Sequence, residues 1–190
     1  MAQPQPRTAP AEYLALEREA EHRSEYLDGE IFAMAGASRR HNLICLNVGA
    51  ELRDQLRRRP CEVYVHDMRV KVSATGLYTY PDAVAVCEEP QFEDAELDTL
   101  LNPTLLVEVL SPSTADYDRG AKFEHFRTLP SLQEVLFVSQ DEVHVLHYVR
   151  QPDDTWILSE SWDVDGVVSL PSIRAELRIA EVYAKVAFDD

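Results

Sequence analysis

The 190-residue sequence has few cysteines, few basic residues and no long apolar run, and each shortage argues against a class of protein. Its three cysteines (Cys45, Cys61 and Cys87) are an odd number and form no CxxC pair, which argues against a disulfide scaffold or a cysteine zinc site. They lie in apolar stretches, so we expect unpaired core cysteines and a reducing cytoplasm. No apolar run approaches the ~20 residues of a membrane-spanning helix. The polar N-terminus lacks the apolar segment of a secretory signal.

The shortage of basic residues is uneven along the chain. Eighteen Lys and Arg against 34 Asp and Glu give a net charge of −16, which counts against a nucleic-acid partner. Yet residues 39–59 hold six arginines against Glu51 and Asp54, a local charge of +4. This segment is either a solvated helix face or a basic stripe that contacts a phosphate backbone. The candidates for backbone contacts are Arg39, Arg40, Arg53 and Arg57.

The apolar fraction of 45% is enough for one core, and no linker divides the chain. We therefore expect a disordered tail over residues 1–10 and a single domain over residues 11–190. The pattern predicts a helix from Pro10 to about His22, a β-hairpin from Ser24 to Met34 around the Asp28-Gly29 turn, and a helix capped by Ser38 that ends near Arg58.

After Pro60 the apolar pattern changes to a period of two. It predicts one strand from Cys61 to Val72, then strands over residues 82–87 and 104–110, a helix from about 115 to 128, strands over 134–139, 143–149 and 156–162, and a short helix over 179–187. These elements indicate an α/β fold with a central mixed sheet, flanking helices and a C-terminal antiparallel extension.

Glu108 lies within the most apolar predicted strand of the chain. A buried carboxylate must be neutral, ion-paired or metal-bound. Asp82 begins the preceding predicted strand, so antiparallel pairing of the two strands would bring Asp82 and Glu108 together at one sheet edge. Paired carboxylates suit Mg²⁺ or Mn²⁺.

Lys122 is the basic residue expected to join this pair. It lies about 10 Å down its predicted helix, at a depth similar to that of Glu108 if the helix doubles back over the sheet. The alternative is an i,i+4 pair of Asp118 with Lys122 on a solvated face.

Several segments together resemble the Uma family of restriction-endonuclease-like proteins, within the PD-(D/E)XK nuclease superfamily. They are Glu25-Tyr-Leu-Asp-Gly-Glu30, His41, Tyr80-Pro81-Asp82, Glu108-Val-Leu-Ser-Pro-Ser-Thr114 and Asp118-Arg-Gly-Ala-Lys122. The resemblance covers residues 13–186 and implies a restriction-endonuclease-like core.

The resemblance implies that Asp82 and Glu108 are metal ligands. The superfamily pattern places a lysine two residues after the glutamate, where this chain has Leu110, and the family moves that lysine onto the following helix, which matches Lys122. Glu25 matches an additional acidic residue of the family, against the alternative of an exposed hairpin glutamate. His41 is a second candidate catalytic residue, against the alternative of a hydrogen-bonded core histidine.

Three functions follow from these observations. The first is a Mg²⁺- or Mn²⁺-dependent endonuclease that hydrolyses DNA; the family resemblance also implies a homodimer. The second is a nuclease-fold binding or assembly module with little or no activity, which the net charge of −16 favours. The third is a metal-dependent hydrolase of a small phosphate ester. An open cleft containing Asp82, Glu108 and Lys122 would favour an enzyme, and a cleft filled by apolar side chains would favour the module.

Overall fold

The computed structural model describes residues 7–112 and 115–188, and every structural statement below concerns those ranges. The first part contains helix α1 (Pro10–Glu19), the hairpin of β1 (Ser24–Leu27) and β2 (Glu30–Ala33), helix α2 (Arg39–Leu56), and strands β3 (Glu62–Val65), β4 (Arg69–Val72), β5 (Leu77–Thr79), β6 (Ala83–Val86), β7 (Thr99–Leu100) and β8 (Leu105–Leu110).

The second part begins with one helical segment and continues as strands. The segment comprises α3 (Ala115–Tyr117), a π-helical turn (Asp118–Lys122) and α4 (Phe123–Phe126), and it is followed by β9 (Glu134–Ser139), β10 (Val145–Arg150), β11 (Trp156–Ser161), β12 (Val167–Leu170), a 3₁₀ turn (Pro171–Ile173), β13 (Ala175–Arg178) and α5 (Ile179–Val182). No helix in these described ranges is both long and apolar enough to cross a membrane.

The N-terminal elements follow the sequence pattern closely. The β1–β2 hairpin turns at Asp28 and Gly29, which both have positive φ, as the Asp-Gly signal predicts. Ser38 caps α2, because its side chain accepts a hydrogen bond from the His41 N–H at 3.0 Å. Of the predicted tail, residues 1–6 lie outside the described residues, whereas the Thr8 N–H donates to the Gly29 carbonyl at 3.0 Å. The chain is therefore held to the hairpin from Thr8 onward.

The prediction of one strand from Cys61 to Val72 is wrong. The chain leaves β3 at His66, whose φ of 63° is incompatible with an extended strand, and re-enters a strand at Arg69. The two segments, β3 and β4, belong to different sheets. A six-stranded sheet has the order β11-β10-β9-β8-β6-β3, and a five-stranded sheet has the order β2-β1-β5-β4-β7.

The centre of the six-stranded sheet is buried on both faces. Along β8, the side chains of Leu105, Val107 and Val109 join α2, α5 and the β12–β13 hairpin in one apolar cluster. Leu106 and Leu110 face the other way and join α4 and strands of the five-stranded sheet in a second cluster. Strands β8 and β9 are parallel and the other pairs of this sheet are antiparallel. The predicted mixed sheet with a late antiparallel extension is confirmed.

The expectation of three unpaired cysteines is wrong for two of them. Cys61 and Cys87 form a disulfide, because the β3–β6 register that pairs Glu62 with Val86 places these cysteines opposite each other. Cys45 is a buried free cysteine, as predicted. The inference of a reducing compartment from cysteine usage therefore loses its support.

Candidate active site

Strand pairing brings the two predicted carboxylates together. Strands β6 and β8 are antiparallel, with Ala83 opposite Val107, so the residues before and after that pair, Asp82 and Glu108, are also opposite. The Oδ2 atom of Asp82 accepts a hydrogen bond from the Val109 N–H at 2.7 Å. The juxtaposition that the sequence predicted is therefore present.

Lys122 lies among three carboxylates. Its Nζ atom is 2.8 Å from Glu108 Oε1, 3.0 Å from Glu25 Oε1 and 3.8 Å from Asp118 Oδ1. The Lys122 side chain is 5% exposed and that of Asp118 is 8% exposed. The alternative of a Lys122–Asp118 pair on a solvated face is therefore wrong, since both residues belong to a buried charged cluster.

Alternation along β8 explains how Glu108 and Lys122 meet. Glu108 shares its strand face with Leu106 and Leu110, and Phe123 and Phe126 pack on that face. The residue before Phe123 is Lys122, the last residue of the π-helical turn, so its ammonium group comes down beside Glu108. Turns of this type occur frequently at functional sites.

Glu25 is part of the buried cluster rather than an exposed hairpin residue. Its side chain is 13% exposed, and its Oε1 atom lies near Lys122 and accepts a hydrogen bond from the Thr79 hydroxyl. Strand β1 carries Glu25 to this position because Tyr26 pairs with Tyr78 of β5.

His41 lies at the start of α2 and faces Asp82. Its Nε2 atom is 3.3 Å from Asp82 Oδ2, and its Nδ1 atom is 3.3 Å from the sulfur of Cys45. The His41 side chain is 16% exposed and lines a cleft, so it is not enclosed in the core. The contact between His41 and Cys45 was not predicted, although the four-residue spacing of these two residues on one helical face was a signal.

Burial and mutual charge shift the titration of this cluster. Burial raises the pKa of Glu108 well above its usual range, and the charges of Asp82 and Asp118 raise it further, against the opposing effect of Lys122. Burial alone would lower the pKa of Lys122, but Glu108, Glu25 and Asp118 outweigh it and raise that pKa. Burial would also raise the pKa of Asp82, but hydrogen bonds from His41 and Val109 hold it below its usual value.

The donor set fits a hard divalent cation. Glu25, Glu108 and Asp118 lie within 4 Å of a single ammonium group, and the Asp82 carboxylate interacts with that group electrostatically, so the cluster retains excess negative charge when all groups are ionised. Carboxylate oxygens are the ligands that Mg²⁺ and Mn²⁺ prefer. Among the described residues, the group of three whose ligand atoms all lie within 4.8 Å of one another is His41, Cys45 and Asp82, which offers a nitrogen, a sulfur and an oxygen. This group and the carboxylate cluster share Asp82.

A cleft of about 620 Å³ opens onto the cluster. The charged residues described above line it together with Phe32, Met34, Tyr80, Tyr117 and Gln140. Tyr80 belongs to the Tyr80-Pro81-Asp82 segment named above, whereas the other four were not predicted. Phe32, Met34 and Tyr117 are exposed and Gln140 is buried, and no local periodicity points to them as site residues. The cleft is open rather than filled, which is the feature expected to favour an enzyme.

The arginines of α2 divide into two groups. Arg39 and Arg40 lie at the end that carries His41, where Arg40 Nη1 is 3.7 Å from Asp141 Oδ1. Arg53 and Arg57 are exposed and lie about 18 and 24 Å farther along the helix axis than His41. The helix therefore brings only the first pair near the carboxylate cluster.

Comparison with known proteins identifies the family. The model of the Uma2 family, described as "Putative restriction endonuclease", matches residues 10–181. The chain belongs to the Uma2 family. "Uncharacterized protein sll1609" of Synechocystis sp. is 41% identical over 150 residues, which cover 79% of this chain and 85% of that protein. "Uncharacterized protein slr1290" of the same organism is 33% identical over 185 residues, covering 97% and 96%.

A solved structure shares the fold. The crystal structure of a "putative nuclease belonging to DUF820" from Anabaena variabilis matches with a TM-score of 0.76 at 20% identity, covering 96% of this chain and 100% of that chain. The expected restriction-endonuclease-like family and α/β fold are therefore confirmed.

Proposed function

We propose that this protein is a divalent-metal-dependent endonuclease that hydrolyses phosphodiester bonds of DNA in the cleft. The observation that carries the proposal is the convergence of four carboxylates, those of Glu25, Asp82, Glu108 and Asp118, on one open cleft. A structural ion pair would not require four converging carboxylates, and excess buried charge of one sign is typical of a site that takes a cation.

Asp82 and Glu108 would hold the cation, and Glu25 would complete its oxygen ligands. A bound Mg²⁺ or Mn²⁺ supplies Lewis acidity toward the phosphate and makes water a stronger acid. Asp82 suits the role of permanent anion, because His41 and the Val109 N–H lower its pKa. His41 would orient Asp82 through the contact at 3.3 Å.

Lys122 would act as a cation rather than as a base. Its raised pKa keeps the ammonium group protonated at neutral pH, so it can donate hydrogen bonds to the attacking water or to the phosphate oxygens.

One observation favours the alternative of a binding or assembly module. Leu110 replaces the superfamily lysine, and Lys122 is already ion-paired with Glu108 and Glu25, so the cluster has a cation of its own. Under this alternative, the carboxylates and Lys122 form a structural network and no bond is cleaved.

Nicking of supercoiled plasmid in Mg²⁺ or Mn²⁺ separates the two proposals. Loss of a metal ligand removes several kcal/mol of charge stabilisation, so we expect Glu108→Gln to lower the nicking rate on the order of 100-fold or more. Lys122→Met should also abolish nicking. Glu124→Gln, on the exposed side of the same helical segment, is the matched control and should nick like the wild type.

Nicking in EDTA, or equal nicking by Glu108→Gln and the wild type, would refute the endonuclease proposal. Metal binding without cleavage of either plasmid or single-stranded DNA would support the module. Release of phosphate from a small phosphate ester, with intact plasmid, would support the third function expected from the sequence.

A further inference from the structure

The cleft combines its carboxylates with exposed apolar side chains. Phe32 is 47% exposed, Met34 is 42% exposed and Tyr117 is 41% exposed, and all three line the cleft that contains Glu108 and Lys122. Single exposed apolar residues are ordinary on protein surfaces. Three around one cleft, on a chain with a net charge of −16, indicate a surface that contacts a ligand through apolar faces.

The cleft offers few cations to a phosphate backbone. Among the described residues that line it, the Lys and Arg side chains are Arg23 and Lys122, against the carboxylates of Glu25, Asp67, Asp82, Glu108 and Asp118. Lys122 is buried, and Arg23 Nε lies 3.5 Å from Asp67 Oδ1. A protein that binds duplex DNA through its phosphates can contact about 6–10 of them with Lys and Arg side chains. This cleft cannot do so with its own side chains.

The depth of the site also limits what can reach it. The side chains of Glu108 and Asp82 are 6% and 15% exposed, so a phosphodiester must enter the cleft to meet them. A volume of 620 Å³ is that of a site for a drug-sized ligand, or about one or two nucleotides. A nucleotide within a base-paired duplex must leave the stack before it can occupy such a site.

We propose that the cleft takes an unpaired strand of DNA, whose bases stack on Phe32 and Tyr117 while its backbone reaches the carboxylates. This inference rests on the proposed nuclease function and names the form of its substrate. Base stacking on aromatic side chains is largely independent of sequence. Stacking itself uses the faces of the bases rather than charged side chains, so it suits a cleft with few free cations. Recognition through base stacking explains how a protein with a net charge of −16 can bind a strand of DNA.

Fluorescence anisotropy tests the proposal with a labelled 12-nucleotide DNA strand, the same strand in a duplex, and the corresponding RNA. Ca²⁺ replaces Mg²⁺, and the full-length wild type is compared with Phe32→Ala, Tyr117→Ala and a control. The control is Leu46→Ala, because Leu46 is 65% exposed and does not line the cleft. Circular dichroism verifies that each variant is folded.

We expect the single strand to bind at least tenfold more tightly than the duplex. Phe32→Ala and Tyr117→Ala should each weaken single-strand binding by roughly 5- to 100-fold, and Leu46→Ala should leave it unchanged. The slope of log affinity against log salt should lie between about −0.7 and −1.4, as for one or two phosphate contacts.

Equal or tighter binding of the duplex, or unchanged single-strand affinity in both aromatic variants, would overturn the proposal. Tighter binding of the RNA strand would overturn the assignment to DNA. The nuclease proposal is tested separately. Metal-dependent cleavage that is lost in Glu108→Gln would support it, whether single-stranded or duplex DNA is the preferred substrate. Failure of every probe to bind would count against both.

Discussion

We expect loss of the Lys122 ammonium group to lower the free energy of unfolding much more than loss of the Glu108 charge. The Lys122→Met variant removes the ammonium group that lies within 4 Å of Glu108, Glu25 and Asp118, all with side chains at most 13% exposed. Removing one partner of a buried ion pair costs about 3–5 kcal/mol, because the remaining charge has no compensation. That is a large part of the roughly 5–15 kcal/mol by which proteins are stable.

Glu108→Gln should change the free energy of unfolding differently in the wild type and in the Lys122→Met variant. In the wild type it loses the contact of 2.8 Å to Lys122 but also removes a buried charge, so we expect the free energy of unfolding to change by less than about 1 kcal/mol. In the Lys122→Met background it removes an uncompensated carboxylate, so it should restore about 1–3 kcal/mol.

Urea unfolding in EDTA at neutral pH measures both effects through the midpoint and the slope. Arg53→Met, at a side chain that is 75% exposed, is the control and should change stability by less than about 0.5 kcal/mol. If Lys122→Met proves as stable as the control, or if Glu108→Gln is equally destabilising in both backgrounds, the description of the cluster as excess buried negative charge is incorrect.

Three further predictions concern metal binding, the disulfide and the pKa of Asp98. Mg²⁺ or Mn²⁺ at 100 times its Kd should stabilise the wild type by about 2.7 kcal/mol, seen as a higher Tm that Glu108→Gln does not show. Reduction of the Cys61–Cys87 disulfide, which spans 26 residues, should lower the free energy of unfolding by about 2–4 kcal/mol, and an unchanged urea midpoint in dithiothreitol would contradict this. Hydrogen bonds from Arg18 are the main cause that lowers the pKa of Asp98, against burial. The folded pKa then lies below the unfolded value of about 3.9, so the stabilisation is present at neutral pH and is lost as the pH falls below that value. Asp98→Asn should therefore lower stability more at pH 7 than at pH 3, and equal losses at both pH values would refute the assignment.

The arrangement of Asp82, Glu108 and Lys122 in the candidate site could be predicted from local periodicity. Glu108 interrupts an apolar strand and Asp82 begins its neighbour, and antiparallel pairing alone brings such residues together. Counting residues along the helix and the strand placed Lys122 at the depth of Glu108, and the structure gives a contact of 2.8 Å. These inferences required the geometry of single elements, one strand pairing and the condition that the helix doubles back over the sheet.

The features that the sequence did not reveal depend on long-range register or on irregular backbone. The Cys61–Cys87 disulfide follows from which residues of β3 and β6 are opposite, and no local pattern encodes that register. The break at His66 depends on a positive φ at a residue other than glycine. The β12–β13 hairpin was missed because its residues alternate over only four positions in each strand.

Calorimetric titration of Mn²⁺ into the wild type and Glu108→Gln tests the central claim most directly. We expect saturable binding of one ion to the wild type and binding at least tenfold weaker in the variant, because Glu108 is a proposed ligand. Cys45→Ala should bind like the wild type. Absence of saturable binding up to millimolar Mn²⁺, or binding lost in Cys45→Ala but kept in Glu108→Gln, would contradict the assignment of Asp82 and Glu108 as the metal centre.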